Sequence, residues 1–200
     1  MTVEAARTAA VAFIPCRLDY CNSLLYGLPD TLLRKLQSVQ KATARLITGT
    51  RRSEYISPVL HELHWLPMRE RVKFKVARLV HQSLSGQVPL YLANDCSLVS
   101  DSTRRSLRSA DVSTFAVLHT LSSDGDRSFA AAGHHLWNSL PVQLRIPNII
   151  YGLFRRQLKG HLFREAKTRR SVISDMRRRR KTLTYLLSSY LACFPVSPPA

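Results

Sequence analysis

His61, Glu62 and His64 fall within four consecutive residues, His61-Glu62-Leu63-His64, and imidazoles beside a carboxylate are the raw material of a zinc hydrolase. The zinc-protease pattern sets its histidines four apart, with two residues after the glutamate. Here they are three apart, and although Cys16 and Cys21 carry thiols, no Cys-x-x-C pair or compact four-ligand set accompanies them. The ordinary reading is surface or capping histidines, and neither a metal nor a cofactor is expected. Two-metal phosphoryl transfer needs clustered carboxylates. Asp124 and Asp126 are a close pair, but they flank Gly125 where a hairpin turn is expected. Glu70 between Arg69 and Arg71, and Asp126 before Arg127, suit surface ion pairs. No Gly-x-Ser-x-Gly elbow and no phosphate-cradling glycine loop occurs. The residues therefore propose no catalytic group, no enzyme activity and no small-molecule substrate.

The cations are more informative. Thirty Lys and Arg against 13 Asp and Glu leave a formal charge of +17. Residues 1–150 hold 18 basic and 11 acidic side chains, and residues 151–200 hold 12 and 2. Such an excess suits a polyanion, above all the backbone of RNA or DNA. Arg71, Lys75 and Arg78 recur along one flank of a helical pattern, with Arg69 and Lys73 on the other. Arg155, Arg156 and Lys159 form a second group on a later helix, and Arg51-Arg52 and Arg104-Arg105 with Arg108 extend the set. Any one cluster is ordinarily a solvated face; the sum argues for phosphate contact. Arg71, Lys73, Lys75, Arg78, Arg155 and Arg156 are the expected nucleic-acid-binding residues. In the tail, Arg177 to Lys181 are five consecutive cations, read as nuclear import, phosphate contact or a solvated tail.

The apolar end segment LTYLLSSYLACF has 12 residues, short of the ~20 that span a bilayer, though it could lie at an interface. The N-terminal stretch carries Glu4 and Arg7 and lacks a signal-peptide pattern. Four cysteines in 200 residues are too sparse for a disulfide scaffold. The expectation is a nuclear or cytoplasmic protein, neither secreted nor transmembrane.

The elements that must carry these side chains are helical. Ala5, Ala9, Ala12 and Phe13 predict a short packed helix at the N-terminus. Pro29 opens a second, with Leu32, Leu33, Leu36, Val39, Thr43, Leu46 and Ile47 as its apolar face and Gly49 as its stop. A third is expected over 54–64 with Ser53 as N-cap. Pro67 opens a fourth, striped by Val72, Val76, Leu79, Val80 and Ser83 and stopped at Gly86. SFAAAGHHLWNSL reads as a helix before Pro141, and Ile150, Leu153, Phe154, Leu158, His161 and Leu162 share a face after Pro147. Between Cys96 and Ser128 the periodicity fails, and a small β-hairpin is expected around Asp124-Gly125. The fold class is mainly α: helical regions over 1–95 and 128–166, a loop with a hairpin over 96–127, and a disordered basic tail over 167–200.

Five strings together resemble one family. Arg17-Leu18-Asp19-Tyr20-Cys21-Asn22-Ser23-Leu24-Leu25-Tyr26-Gly27-Leu28-Pro29 is similar to the region downstream of the polymerase motifs in non-LTR (LINE-type) retrotransposon reverse transcriptases of the chicken-repeat and Jockey-like group. Ala42-Thr43-Ala44-Arg45-Leu46-Ile47-Thr48-Gly49 resembles its A-A-R-L-[IV]-T-G helix end. His64-Trp65-Leu66-Pro67 followed by Arg71-Val72-Lys73-Phe74-Lys75 resembles its L-H-W-L-P step and R-x-x-[FY]-K helix. Gly125-Asp126-Arg127-Ser128-Phe129 with Leu136-Trp137-Asn138-Ser139-Leu140-Pro141 resembles G-x-R-[SA]-F and L-W-N-x-L-P. Phe154-Arg155-Arg156-Gln157-Leu158-Lys159-Gly160-His161-Leu162-Phe163 resembles the closing F-K-x-x-L-K-x-H-L-F helix.

The resemblance covers residues 16–166 and implies a C-terminal fragment: the thumb and adjoining region, gripping a template–primer duplex by its phosphates. The family's F-x-D-D aspartates would lie upstream, and the chain has no Asp-Asp pair. His134-His135 stand where the family usually has Ala-Pro or a similar pair, and residues 167–200 match none of its motifs. The alternative is a protein-interaction remnant, or a decayed product without function. Trp65, Leu66, Trp137 and Leu140 also suit plain core anchors, with Pro67 and Pro141 as boundaries.

Overall fold

Proline and glycine punctuation sets the helices. A computed structural model describes residues 3–96, 98–99, 114–117, 120–146 and 149–169. The described chain is mainly α: α1 (Val3–Leu18), α2 (Asp30–Thr48), α3 (Ile56–Glu62), α4 (Met68–Leu84), α5 (Leu90–Asn94) and α6 (Phe129–Ser139). The chain divides into two units after Leu162. Residues 151–169 are helical, and α7 is the portion inside the first unit, 151–162. In the second unit, residues 163–169 are helical and Arg169 donates to the Glu165 carboxylate one turn back at 3.1 Å. The expected basic tail, its Arg177–Lys181 run, the LTYLLSSYLACF segment and Arg104, Arg105 and Arg108 lie outside the described residues.

Pro29 precedes the first residue of α2, and Gly49 closes it at φ 72°, its N–H donating to the Arg45 carbonyl at 2.8 Å. Pro67 precedes α4, and Gly86 follows it at φ 65°. Only a residue without Cβ enters that left-handed region freely. The Ser128 hydroxyl accepts the Ala131 N–H and caps α6. Helix α3 starts at Ile56, later than expected, with Tyr55 rather than Ser53 at its cap position. Helix α1 is longer than expected, and its forecast packed face is not packed: Ala5, Ala12 and Phe13 are exposed.

Helix α2 shows a rotated face. Leu32, Val39 and Leu46 are exposed, and Leu33, Gln40, Thr43 and Ala44 are buried. The cause is polar. Gln40 is fully buried, its Nε2 donating to the Leu66 carbonyl at 2.8 Å and its Oε1 accepting from Gln37 Nε2 at 2.7 Å. Gln37 Oε1 then accepts the Met68 N–H at 2.7 Å. The two amides clamp the chain on either side of Pro67, where the start of α4 leaves an N–H without an intrahelical acceptor. Ala44, Ile56 and Leu60 form the adjoining core cluster, with Val59, Leu63 and Trp65 packed on it.

Helix α4 is the centre. It packs on α2, α5 and α6, and its buried face holds Met68, Val72, Val76, Ala77 and Val80, much as the stripe forecast; Leu79 instead reaches solvent. Glu70, expected in a surface ion pair, is buried at 4% exposure. Gly133 lets α6 approach, since a Cβ there would meet the Val80 side chain at 3.0 Å. An aromatic group closes this centre. Trp137, Phe115 and Phe154 are buried, Phe115 stacks on His134 at 4.7 Å between centroids, and Phe154 stacks on His81 at 4.3 Å. In α7, Phe154, Leu158 and Leu162 face inward, while Leu153, and Ile150 just before the helix, both expected on the same face, are exposed.

The hairpin turn expected at Asp124-Gly125 is instead a 3-10 turn, Gly125–Arg127, and no strand occurs among the described residues. Two short-range partners stabilise the turn: Asp124 pairs with Arg127 at 3.2 Å, and Thr120 donates to Asp126. Among the described residues the β structure is a single bridge, Leu98 with Phe115. The side chain of Asn138 extends it: Nδ2 donates to the Phe115 carbonyl at 2.9 Å and Oδ1 accepts the Phe115 N–H at 3.0 Å. An amide side chain thus stands in for a neighbouring strand.

Candidate functional site

Helix spacing puts Arg71, Lys75 and Arg78 on one flank of α4, and Tyr151, Arg155 and Lys159 at four-residue steps on α7. The two helices run antiparallel along this seam. At one end Arg78 Nε donates to the Tyr151 hydroxyl at 2.7 Å. His81, one turn on, lies with Nε2 at 3.2 Å from the Ile149 carbonyl oxygen. At the other end Lys159 lies within electrostatic reach of Arg71. Five cations therefore line one seam: Arg71, Lys75 and Arg78 from α4, Arg155 and Lys159 from α7.

A single carboxylate faces them among the described residues. Asp19 follows the C-terminus of α1, and the Asn22 side chain donates to its carbonyl at 2.6 Å. Its side chain accepts from Arg71 Nε at 2.5 Å and Nη2 at 3.0 Å, a fork-to-fork pair, and from Lys75 Nζ at 2.6 Å. Burial alone would raise the Asp19 carboxyl. The bonds and charges of Arg71 and Lys75 outweigh it and hold the group below the usual carboxylate range. Asp19 thus stays ionised and neutralises part of the seam.

The remaining cations are held differently. The guanidinium carbons of Arg78 and Arg155 lie 5.5 and 5.7 Å from the centroid of the same Tyr151 ring, and Arg78 also lies 5.6 Å from that of Phe74. The rings hold these cations in place without consuming their charge. Lys159 is part-buried and makes no hydrogen bond or ion pair among the described residues. Burial, then the charges of Arg155 and Arg71, push its ammonium below the usual lysine range.

Of the six expected contact residues, Arg71, Lys75, Arg78 and Arg155 come together. Lys73 does not join them: it lies on the other flank of α4, with Arg69, which pairs with Asp30. Arg156 is exposed beside the seam and has no partner among the described residues. Lys159, grouped with Arg155 and Arg156 in the sequence, was not among the six, and Asp19 was not singled out as a seam residue. The four-residue step from Arg155 puts Lys159 on the same face; no local signal points to Asp19, since Asp19 and Arg71 are 52 residues apart.

Other strings sit at structural joints. The Arg45 guanidinium donates to the carbonyls of Arg51, Arg52 and Glu54 at 3.3–3.5 Å and ties down the loop after α2. His61, Glu62 and His64 are exposed, and among the described residues no group of three or more His, Cys, Asp or Glu is placed to hold a metal. No described helix is long and apolar enough to cross a membrane. Comparison with protein-family models, with curated proteins and with solved structures finds no match.

Proposed function

We propose that this chain is a non-catalytic nucleic-acid-binding segment, the thumb and downstream part of a non-LTR reverse transcriptase, and that it grips RNA or DNA by its phosphates. The observation that carries the reading is the α4–α7 seam, which holds five cations and where, among the described residues, one carboxylate, Asp19, pairs with only two of them, Arg71 and Lys75. Stacked arginines on Tyr151 and a bidentate Arg71 are pre-positioned donors, so less side-chain entropy is lost on binding. Contacts of this kind read the backbone rather than the bases. The ordered resemblance of residues 16–166 to the reverse-transcriptase C-terminal region supports the same reading.

Affinity for a short RNA and a short DNA duplex, measured across a salt series, tests the proposal. Binding should weaken steeply with salt, with a logarithmic slope of about −0.9 per neutralised phosphate on duplex DNA. Absence of binding at low salt, or binding indifferent to salt, would sink it. A primer-extension assay with Mg²⁺ or Mn²⁺ should give no product; extension abolished by mutating Asp124 and Asp126 would show a polymerase instead.

A second reading, a protein-interaction remnant, draws on the outward stripe Leu32, Val39 and Leu46 of α2, at seven-residue steps. A cooperatively folded monomer that stays soluble without a partner would count against it.

A further inference from the structure

The seam's cations differ in what already satisfies them. Asp19 occupies Nε and Nη2 of Arg71 and the ammonium of Lys75. Arg78 spends its Nε on Tyr151. Three sets of donors are left along the seam: the Nη1 side of Arg71, the three ammonium protons of Lys159 and, one turn of α7 back towards Tyr151, the guanidinium of Arg155, which touches only the Tyr151 ring. None of these has an acceptor among the described residues. A part-buried ammonium one helical turn from Arg155 and on the same seam as Arg71 is costly, because burial removes water and the neighbours repel it. An oxyanion placed among them reverses both costs.

We propose that Lys159, Arg155 and Arg71 form a seat for a phosphate-class oxyanion at one end of the α4–α7 seam. The seat deepens the backbone-binding reading given above and rests on it for its biological source. The chemistry favours phosphate over a carboxylate. A phosphate offers three or four acceptor oxygens to three separate cations, whereas a carboxylate offers two and its fork already has a match in Asp19 on Arg71. Three cations along one seam also favour a dianion, so a terminal phosphate should bind more tightly than an internal diester.

The test compares wild type with Lys159→Met, which keeps most of the aliphatic stem, and with Lys159→Arg, which keeps the charge. Thermal unfolding is followed in inorganic phosphate and in chloride at matched ionic strength. Wild type should show a saturable rise in Tm with phosphate, Lys159→Met none, and Lys159→Arg part of it. In chloride alone Lys159→Met should melt no lower than wild type, since it removes a repelled, part-buried charge. The second arm measures affinity for one short DNA duplex with and without a 5′-phosphate. Wild type should prefer the phosphorylated end, and Lys159→Met should lose the preference and reduce the salt slope by about 0.9. A phosphate response without end preference supports the seat with the internal diester as its source.

A wild-type Tm that rises no more in phosphate than in chloride overturns the seat, as does a Lys159→Met protein that keeps the rise. Duplex binding with its ordinary salt slope and no phosphate response removes the seat and leaves the backbone reading standing. A phosphate response without duplex binding does the reverse.

Discussion

Ionisable side chains sit on both sides of α4, and burial acts on each with a different outcome. On the inner side His81 stacks on Phe154, with Nδ1 unpartnered, and on α6 His134 stacks on Phe115 with neither ring nitrogen in a well-formed hydrogen bond. Burial holds both imidazoles below their usual range, partly offset by the Ile149 carbonyl at His81 and by the Ala116 and Asp95 carbonyls near His134. They are neutral aromatic spacers. On the outer flank a carboxylate or an aromatic face lies against each of Arg71, Lys75, Arg78 and Arg155. A buried histidine can lose its proton and settle into the core; an arginine cannot, and needs a partner. The inner side therefore stabilises the fold, and the outer flank is left charged for a ligand.

The strongest way to break this contrast is at the inner side. Trp137 is 2% exposed and lies within 6 Å of the Phe115 and Phe154 ring centroids, so Trp137→Ala should cost about 3–5 kcal/mol in urea unfolding. Wild-type stability in that variant would show that the aromatic centre does not hold the helices together.

Asp19→Asn separates the two roles more sharply. The Asp19 and Arg71 side chains are 20% and 13% exposed, and losing the carboxylate leaves a part-buried guanidinium poorly satisfied. Stability should fall by about 1–3 kcal/mol. Polyanion affinity should rise in the same variant, and its salt slope steepen by up to about 2, because Arg71 and Lys75 are both released. A fall in both quantities would make Asp19 a simple structural anchor.

The histidines predict the acid limb. Their folded-state pKa lies below the unfolded value, so above about pH 6.5 both states are neutral and nothing changes. Below that the unfolded chain takes up protons first, and stability declines by at most about 1.4 kcal/mol per pH unit for each histidine. Asp19 adds a separate loss only as pH falls below its unfolded value of about 3.9, through its lower folded value. Replacing His81 and His134 together by Phe should flatten the first limb and spare the second, as read from Tm against pH. The smallest effect belongs to Arg156→Ala: stability within about 0.5 kcal/mol of wild type, with the salt slope shallower by about 0.9 if phosphate reaches it.

The helices and many of their ends were legible in the residues alone. Pro29, Gly49, Pro67 and Gly86 act on their own turn of chain, through a missing N–H or a left-handed φ, so no distant partner is needed to read them. The flank of α4 that carries Arg71, Lys75 and Arg78 followed from helical spacing for the same reason. Which side of each helix turns inward was another matter. On α2 the apolar count favoured Leu32, Val39 and Leu46, yet Gln40 is the buried polar side chain, because its amide donates to the Leu66 carbonyl beside Pro67, 26 residues away. Asp19 against Arg71, Asn138 against Phe115 and Lys159 beside Arg71 depend in the same way on segments brought together across 52, 23 and 88 residues. Spacing along one helix carries no record of what a distant segment will place against it; packing decides that, and with it which cations are neutralised and which remain for a ligand.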